Sequence, residues 1–207
     1  MNELNGEEKL NSLSHAIGAI LAILGTIVLL FENNQNSSYT IPAILLYGLT
    51  LVSMFGISAA YHYTIDFSLK RRLRVLDHIN IYFLIAGTYT PISLITLIEG
   101  NRWSIFYAVW SIALFGLFFK LYFTGRYEFI SLLIYIAMGW LIILDFNNLV
   151  ENTSVLGVRL LFLGGVFYTF GILFYALERI PYHHFIWHLF VLAGAFSHWL
   201  TMFLSVV

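Results

Sequence analysis

The sequence predicts an all-α integral membrane protein, a bundle of seven transmembrane helices with its N-terminus in the cytoplasm and its C-terminus outside. Three observations predict it: an excess of apolar residues, seven long apolar runs, and cations gathered on one side. Hydrophobic residues fill 60% of the 207 positions and charged residues only 10%, the latter about 15 percentage points below a soluble domain. A soluble fold of this size has too little interior to hide so much apolar surface, whereas a lipid-facing bundle need not hide it. The net charge of −1 gives no basic field, so nucleic acid is not expected as a partner. The absence of cysteine removes disulfides, thiolate zinc sites and thiol nucleophiles together. A soft-metal site must then use histidine with carboxylate or water.

The apolar runs lie near 14–31, 41–63, 76–97, 103–122, 128–147, 157–177 and 184–205, each long enough to cross roughly 30 Å of hydrocarbon. Polar breaks punctuate them: Glu32-Asn33-Asn34, Glu99-Gly100-Asn101-Arg102, and Asn147-Asn148. Loops this short leave no room for a second domain, so residues 1–207 are expected to form one. No internal repeat is evident, and seven spans do not divide into equal inverted halves. The first run is expected to be retained, because an acidic stretch (Glu3, Glu7, Glu8, with only Lys9 positive) precedes it and no small-residue cleavage site follows.

Cations set the orientation. Lys9, Lys70, Arg71, Arg72, Arg74, Lys120, Arg126 and Arg179 fall on the N-terminal side, against Arg102 and Arg159 opposite. That bias puts the N-terminus inside. The ionisable residues then fall at one depth: His62 at the end of the second span, Asp77 and His78 at the start of the third, His184 and His188 at the start of the seventh. All these ends face the cytoplasm, and ionisable groups in lipid cost several kcal/mol unless paired, roughly 3 kcal/mol on insertion scales.

Spacing of four places Ser58 with His62, and His184 with His188, on single helical faces. An H-x-x-x-H pair holds one metal through two imidazoles. His62 as third ligand leaves a fourth tetrahedral position open to water, the arrangement of a catalytic zinc. Phe185 replaces the glutamate of H-E-x-x-H, so a base must come from elsewhere, and Asp77 is placed to accept the proton of that water. Ser58 supports the site through a hydrogen bond or lines the substrate path. Plainer readings stand beside these: interfacial hydrogen bonding for each histidine, and an i, i+3 ion pair with Arg74 for Asp77.

The other histidines are expected elsewhere. His198 lies ten residues beyond His188, about 15 Å along the helix, too far to share an ion. It is read as a helix–helix hydrogen bond or a cavity residue, and His183 as interfacial. His15 sits at the right level but lacks a partner at i+4. His78 must point about 100° away from Asp77. Asp145 is expected near the outer end of the fifth span, hydrated. Gly164, Gly165 and Gly171 offer small faces for helix approach, and Thr90-Pro91 should kink the third span. Trp103 and Tyr127 read as interface anchors.

Five stretches together resemble the hemolysin III family of bacterial membrane proteins, within the progestin and adipoQ receptor superfamily that includes the adiponectin receptors. They are Asn11-Ser12-Leu13-Ser14-His15, Ser58-Ala59-Ala60-Tyr61-His62, Asp77-His78, Gly87-Thr88-Tyr89-Thr90-Pro91, and His184 through His188 followed by Gly194-Ala195 and His198. The resemblance implies a seven-helix bundle with a cytoplasmic N-terminus in the bacterial inner membrane, and a Zn2+ ion held by His62, His184 and His188 with Ser58 and Asp77 beside it. It also implies kinship with alkaline ceramidases, grouped as metal-dependent lipid amide hydrolases. The long extramembrane N-terminal domain of the animal receptors has no counterpart here, so hormone-type signalling is not expected. Three functions follow in order: a zinc hydrolase of a membrane lipid amide or ester, a non-catalytic regulator of membrane fluidity, and a pore-forming cytolysin. A retinal protein is disfavoured, since the seventh run has no lysine for a Schiff base.

Overall fold

The computed structural model describes residues 4–34 and 37–207, so Glu3 of the acidic leader lies outside the described residues. The described residues are helical throughout, without a strand, and seven helical segments are long and apolar enough to cross a membrane. Helices α1 (Gly6–Glu32), α2 (Thr40–Tyr63), α3 (Phe67–Pro91) and α4 (Arg102–Phe123) come first. The fifth span is composite, with α5 (Glu128–Gly139) and α6 (Phe146–Asn152) flanking a 3-10 stretch at Leu141–Asp145. Helices α7 (Val155–Ala176) and α8 (His183–Ser205) complete the chain.

Two helices begin well before their expected starts at 14 and 76. Asn5 caps α1 by accepting a hydrogen bond from the Glu8 amide at 2.8 Å, with Glu7 and Glu8 set against the helix dipole. Asp66 caps α3 in the same way, taking the Leu69 amide at 2.7 Å. Their polar first turns carry no apolar signal, yet capping makes them helical. Those turns are the ones that reach the candidate site.

Successive helices pack in a ring, α1 on α2, α2 on α3, α3 on α4, and α7 on α8, which returns to α1. The third span is central: 83% of its apolar window is buried, against at most 50% for any other span. Pro91 has no amide hydrogen to donate, and the expected disturbance takes the form of a π-helical turn at Ile92–Thr96 directly after it. The break in the fifth span is stitched from α3. The Tyr89 phenol donates to the Gly139 carbonyl at 2.8 Å and accepts from the Ile142 amide at 2.9 Å. Irregular backbone at membrane depth needs such partners, because lipid offers none.

The small-residue face of α7 is real at two of its three expected positions. A Cβ at Gly164 would collide with the His198 ring, and one at Gly171 would meet Trp187 at 2.8 Å. At Gly165 a Cβ would meet Trp140 at 3.5 Å, an ordinary contact, so close approach does not require glycine there.

Candidate metal centre

The last turn of α2 and the first two turns of α8 carry three histidines to one point. Ring centroids lie 5.1 Å apart for His62–His184, 4.8 Å for His62–His188 and 4.9 Å for His184–His188. One nitrogen from each ring lies within 4.8 Å of the others, close enough to address a single metal ion. His62 and His188 are buried and His184 is half-buried. His62 Nε2 and His188 Nδ1 are buried without a hydrogen-bond partner. An unsatisfied ring nitrogen away from water is costly, on the order of 1–3 kcal/mol, so two of them in one cluster suit ligation of a cation.

Asp77, in the third turn of α3, lies beside this cluster. It is buried, interacts electrostatically with His62, and has the buried Ser58 beside its carboxyl. Its Oδ1 has no partner. The alternative i, i+3 pairing fails: none of the ion pairs among the described residues joins Arg74 to Asp77. Ser58 thus stands one turn from His62 on the same face, against the carboxyl rather than in lipid.

His15, at the level of the cluster but without a partner at i+4, stacks its ring on His188 with centroids 3.6 Å apart and planes 9° from parallel. Its partner comes from another helix, which spacing along one helix cannot reveal. An imidazole binds an ion in its own ring plane, and two nearly parallel planes 3.6 Å apart do not meet near either ring. His15 therefore covers His188 and would not share an ion with it. Glu7 and Glu8 also enter the site, at 3.1 Å from the His184 amide and 3.0 Å from His62 Nδ1 respectively. The spacing of Glu8, Asn11 and His15 along one face of α1 is the signal that could have found them.

The remaining histidines serve packing. His78 turns from Asp77 toward Glu128, 3.6 Å from its Oε1, and Glu128 Oε2 lies 2.6 Å from the fully buried Lys120 amine. His183 bonds the Phe174 carbonyl through Nδ1 at 3.1 Å, closing the α7–α8 turn. His198 makes the expected helix–helix hydrogen bond, to the Leu161 carbonyl of α7 at 3.1 Å, and also lines a cavity. Asp145 lies half-exposed at the end of the 3-10 stretch of the fifth span, and its Oδ2 also accepts from the Asn101 amide at 2.8 Å, tying the α3–α4 loop to that span.

That cavity is apolar, lies among α2, α3, α5, α7 and α8, and has a volume of about 100 Å³. Met54, Ile81 and Trp187 line it. Met54 precedes Ser58 by one turn, Ile81 follows Asp77 by one turn, and Trp187 adjoins His188. The cavity thus begins one helical turn beneath the polar cluster.

The profile of a family described as Haemolysin-III related matches residues 5–199. The chain is 38% identical to Hemolysin-3 of Bacillus cereus over 196 residues, 94% of this chain and 90% of the relative. It is equally identical to a Hemolysin-3 homolog of Bacillus subtilis (strain 168) over 190 residues, 91% and 89% of the two chains. It is 31% identical to the human monocyte to macrophage differentiation factor over 208 residues, 93% of this chain and 82% of the relative.

Proposed function

The chain belongs to the haemolysin-III family, and on that premise we propose that it is an intramembrane zinc hydrolase acting on a lipid amide or ester. The convergence of three imidazoles, with unpartnered nitrogens on His62 and His188, beside Asp77 with its unpartnered Oδ1 is the observation that carries this reading. Histidine nitrogens without thiolates suit zinc, and His62, His184 and His188 would hold it as neutral imidazoles. Bound there, zinc would supply Lewis acidity and lower the pKa of a water molecule to about 7.

The protein's own groups do the rest. Asp77 takes the proton that the attacking water gives up as its oxygen adds to the carbonyl carbon. The same carboxyl returns the proton to the departing amine or alcohol as the C–N or C–O bond breaks. Ser58, beside that carboxyl, would orient it. The apolar cavity one turn deeper receives the acyl chain, which brings a headgroup-level carbonyl to the polar cluster. On this reading the membrane lipid is both solvent and partner, and the cationic loops favour a cluster on the cytoplasmic face, in a bacterial inner membrane.

The test is lipid turnover by purified protein, with and without a chelator, against ceramides, acyl amides and phospholipids. Chelator-sensitive release of fatty acid from one class is expected. Zinc-loaded protein that turns over none of them contradicts catalysis and leaves a non-catalytic regulator of membrane fluidity as the reading.

A further inference from the structure

Glu8 lies on the first turn of α1, far in sequence from the three histidines, yet it touches the site directly. Its Oε2 is 3.0 Å from His62 Nδ1 and 2.9 Å from Lys70 Nζ. A carboxylate oxygen can only accept here, so the shared proton belongs to Nδ1 and the lone pair of the neutral ring to Nε2. That Nε2 is buried and unpartnered, which makes it the atom His62 has free for a metal. The neighbouring Glu7 accepts the His184 amide at 3.1 Å, where α8 has no side-chain cap of its own. Two adjacent carboxylates of α1 therefore hold the two helices that carry the cluster, and one of them sets a ring nitrogen.

We propose that Glu8 is a positioning residue of the metal centre, fixing His62 in the Nδ1–H tautomer so that Nε2 meets the ion, with Lys70 steadying the carboxylate. The proposal rests on the zinc reading above. Carboxylates placed behind ligating histidines raise ligand basicity and orient the ring, and their loss costs roughly 10–100-fold in metal affinity. The acidic N-terminal turn of α1 thus belongs functionally to the site rather than to the membrane surface.

Zinc affinity of the full-length purified protein, measured by competition with a chelating indicator, tests this. Glu8→Ala should bind about 10–100-fold more weakly than wild type, and Glu8→Gln, which keeps an acceptor without the charge, should fall between them. Lys70→Met should stay nearer to wild type than either. The melting temperature of metal-free Glu8→Ala should remain close to that of metal-free wild type. Nitrogen-15 NMR of histidine-labelled, zinc-loaded wild type should show His62 ligating through Nε2 with Nδ1 protonated. Unchanged affinity in folded Glu8→Ala, or ligation through Nδ1, overturns the proposal. Should the Glu8 variants fail to fold, the wild-type NMR still decides it. A wild type that binds no zinc sinks the metal reading itself, whereas a zinc-binding wild type matched by Glu8→Ala removes only the role of Glu8.

Discussion

Asp77 separates a chemical role from a structural one more sharply than any other residue. Replacing it by asparagine keeps its size and a hydrogen-bonding oxygen toward Ser58, but removes its capacity to accept a proton. Asp77→Asn should keep its zinc and its melting temperature while lipid hydrolysis falls roughly 10²–10⁴-fold. Zinc content, melting and turnover measured on one preparation check this, and loss of metal or fold would mark Asp77 as structural. His15 allows a complementary test. Because its ring plane is parallel to that of His188, His15→Phe should keep the stacking and the zinc, and a metal-free His15→Phe protein that still folds would contradict the geometric exclusion of His15 as a ligand. At this scale the i, i+4 spacing of His184 and His188 and the shared depth of His62 were legible in the sequence, since both follow from helical periodicity. The stack of His15 on His188 and the reach of Glu8 to His62 were not, because each joins residues on different helices whose rotation about their axes no single-helix pattern sets.

Among the elements, the fifth span differs most from a plain apolar run. Its seven-residue C-terminal helix and 3-10 stretch depend on Tyr89, whose phenol serves the Gly139 carbonyl and the Ile142 amide at once. Tyr89→Phe leaves both groups without a partner in a setting that lipid cannot repair. The expected cost is about 1–3 kcal/mol for each, read as a lowered melting temperature with zinc content unchanged. Equal stability of Tyr89→Phe and wild type would mean that the break is satisfied otherwise. The sequence marked the existence of each span through its apolar length, but not the early starts of α1 and α3. Asn5 and Asp66 extend these helices into polar turns by capping, and a search for lipid-compatible residues passes over such turns.

For the whole molecule, orientation follows from eight cationic residues on one side against two on the other. A reporter fused after Val207 should therefore read the outside of the membrane, and a cytoplasmic reading would mean that the seven segments do not all cross. The fold class and its family were legible throughout because lipid solvation leaves few alternatives for so apolar a chain. The chemistry hangs on whether the three histidines hold one ion. Metal analysis of purified wild type and His188→Ala tests that most directly. The account predicts about one zinc per chain in wild type, falling as the pH drops because protonated imidazole cannot ligate, and a sharp loss in His188→Ala but not in His198→Ala. Full zinc occupancy in His188→Ala, or a wild type that takes up no zinc at neutral pH, would contradict it.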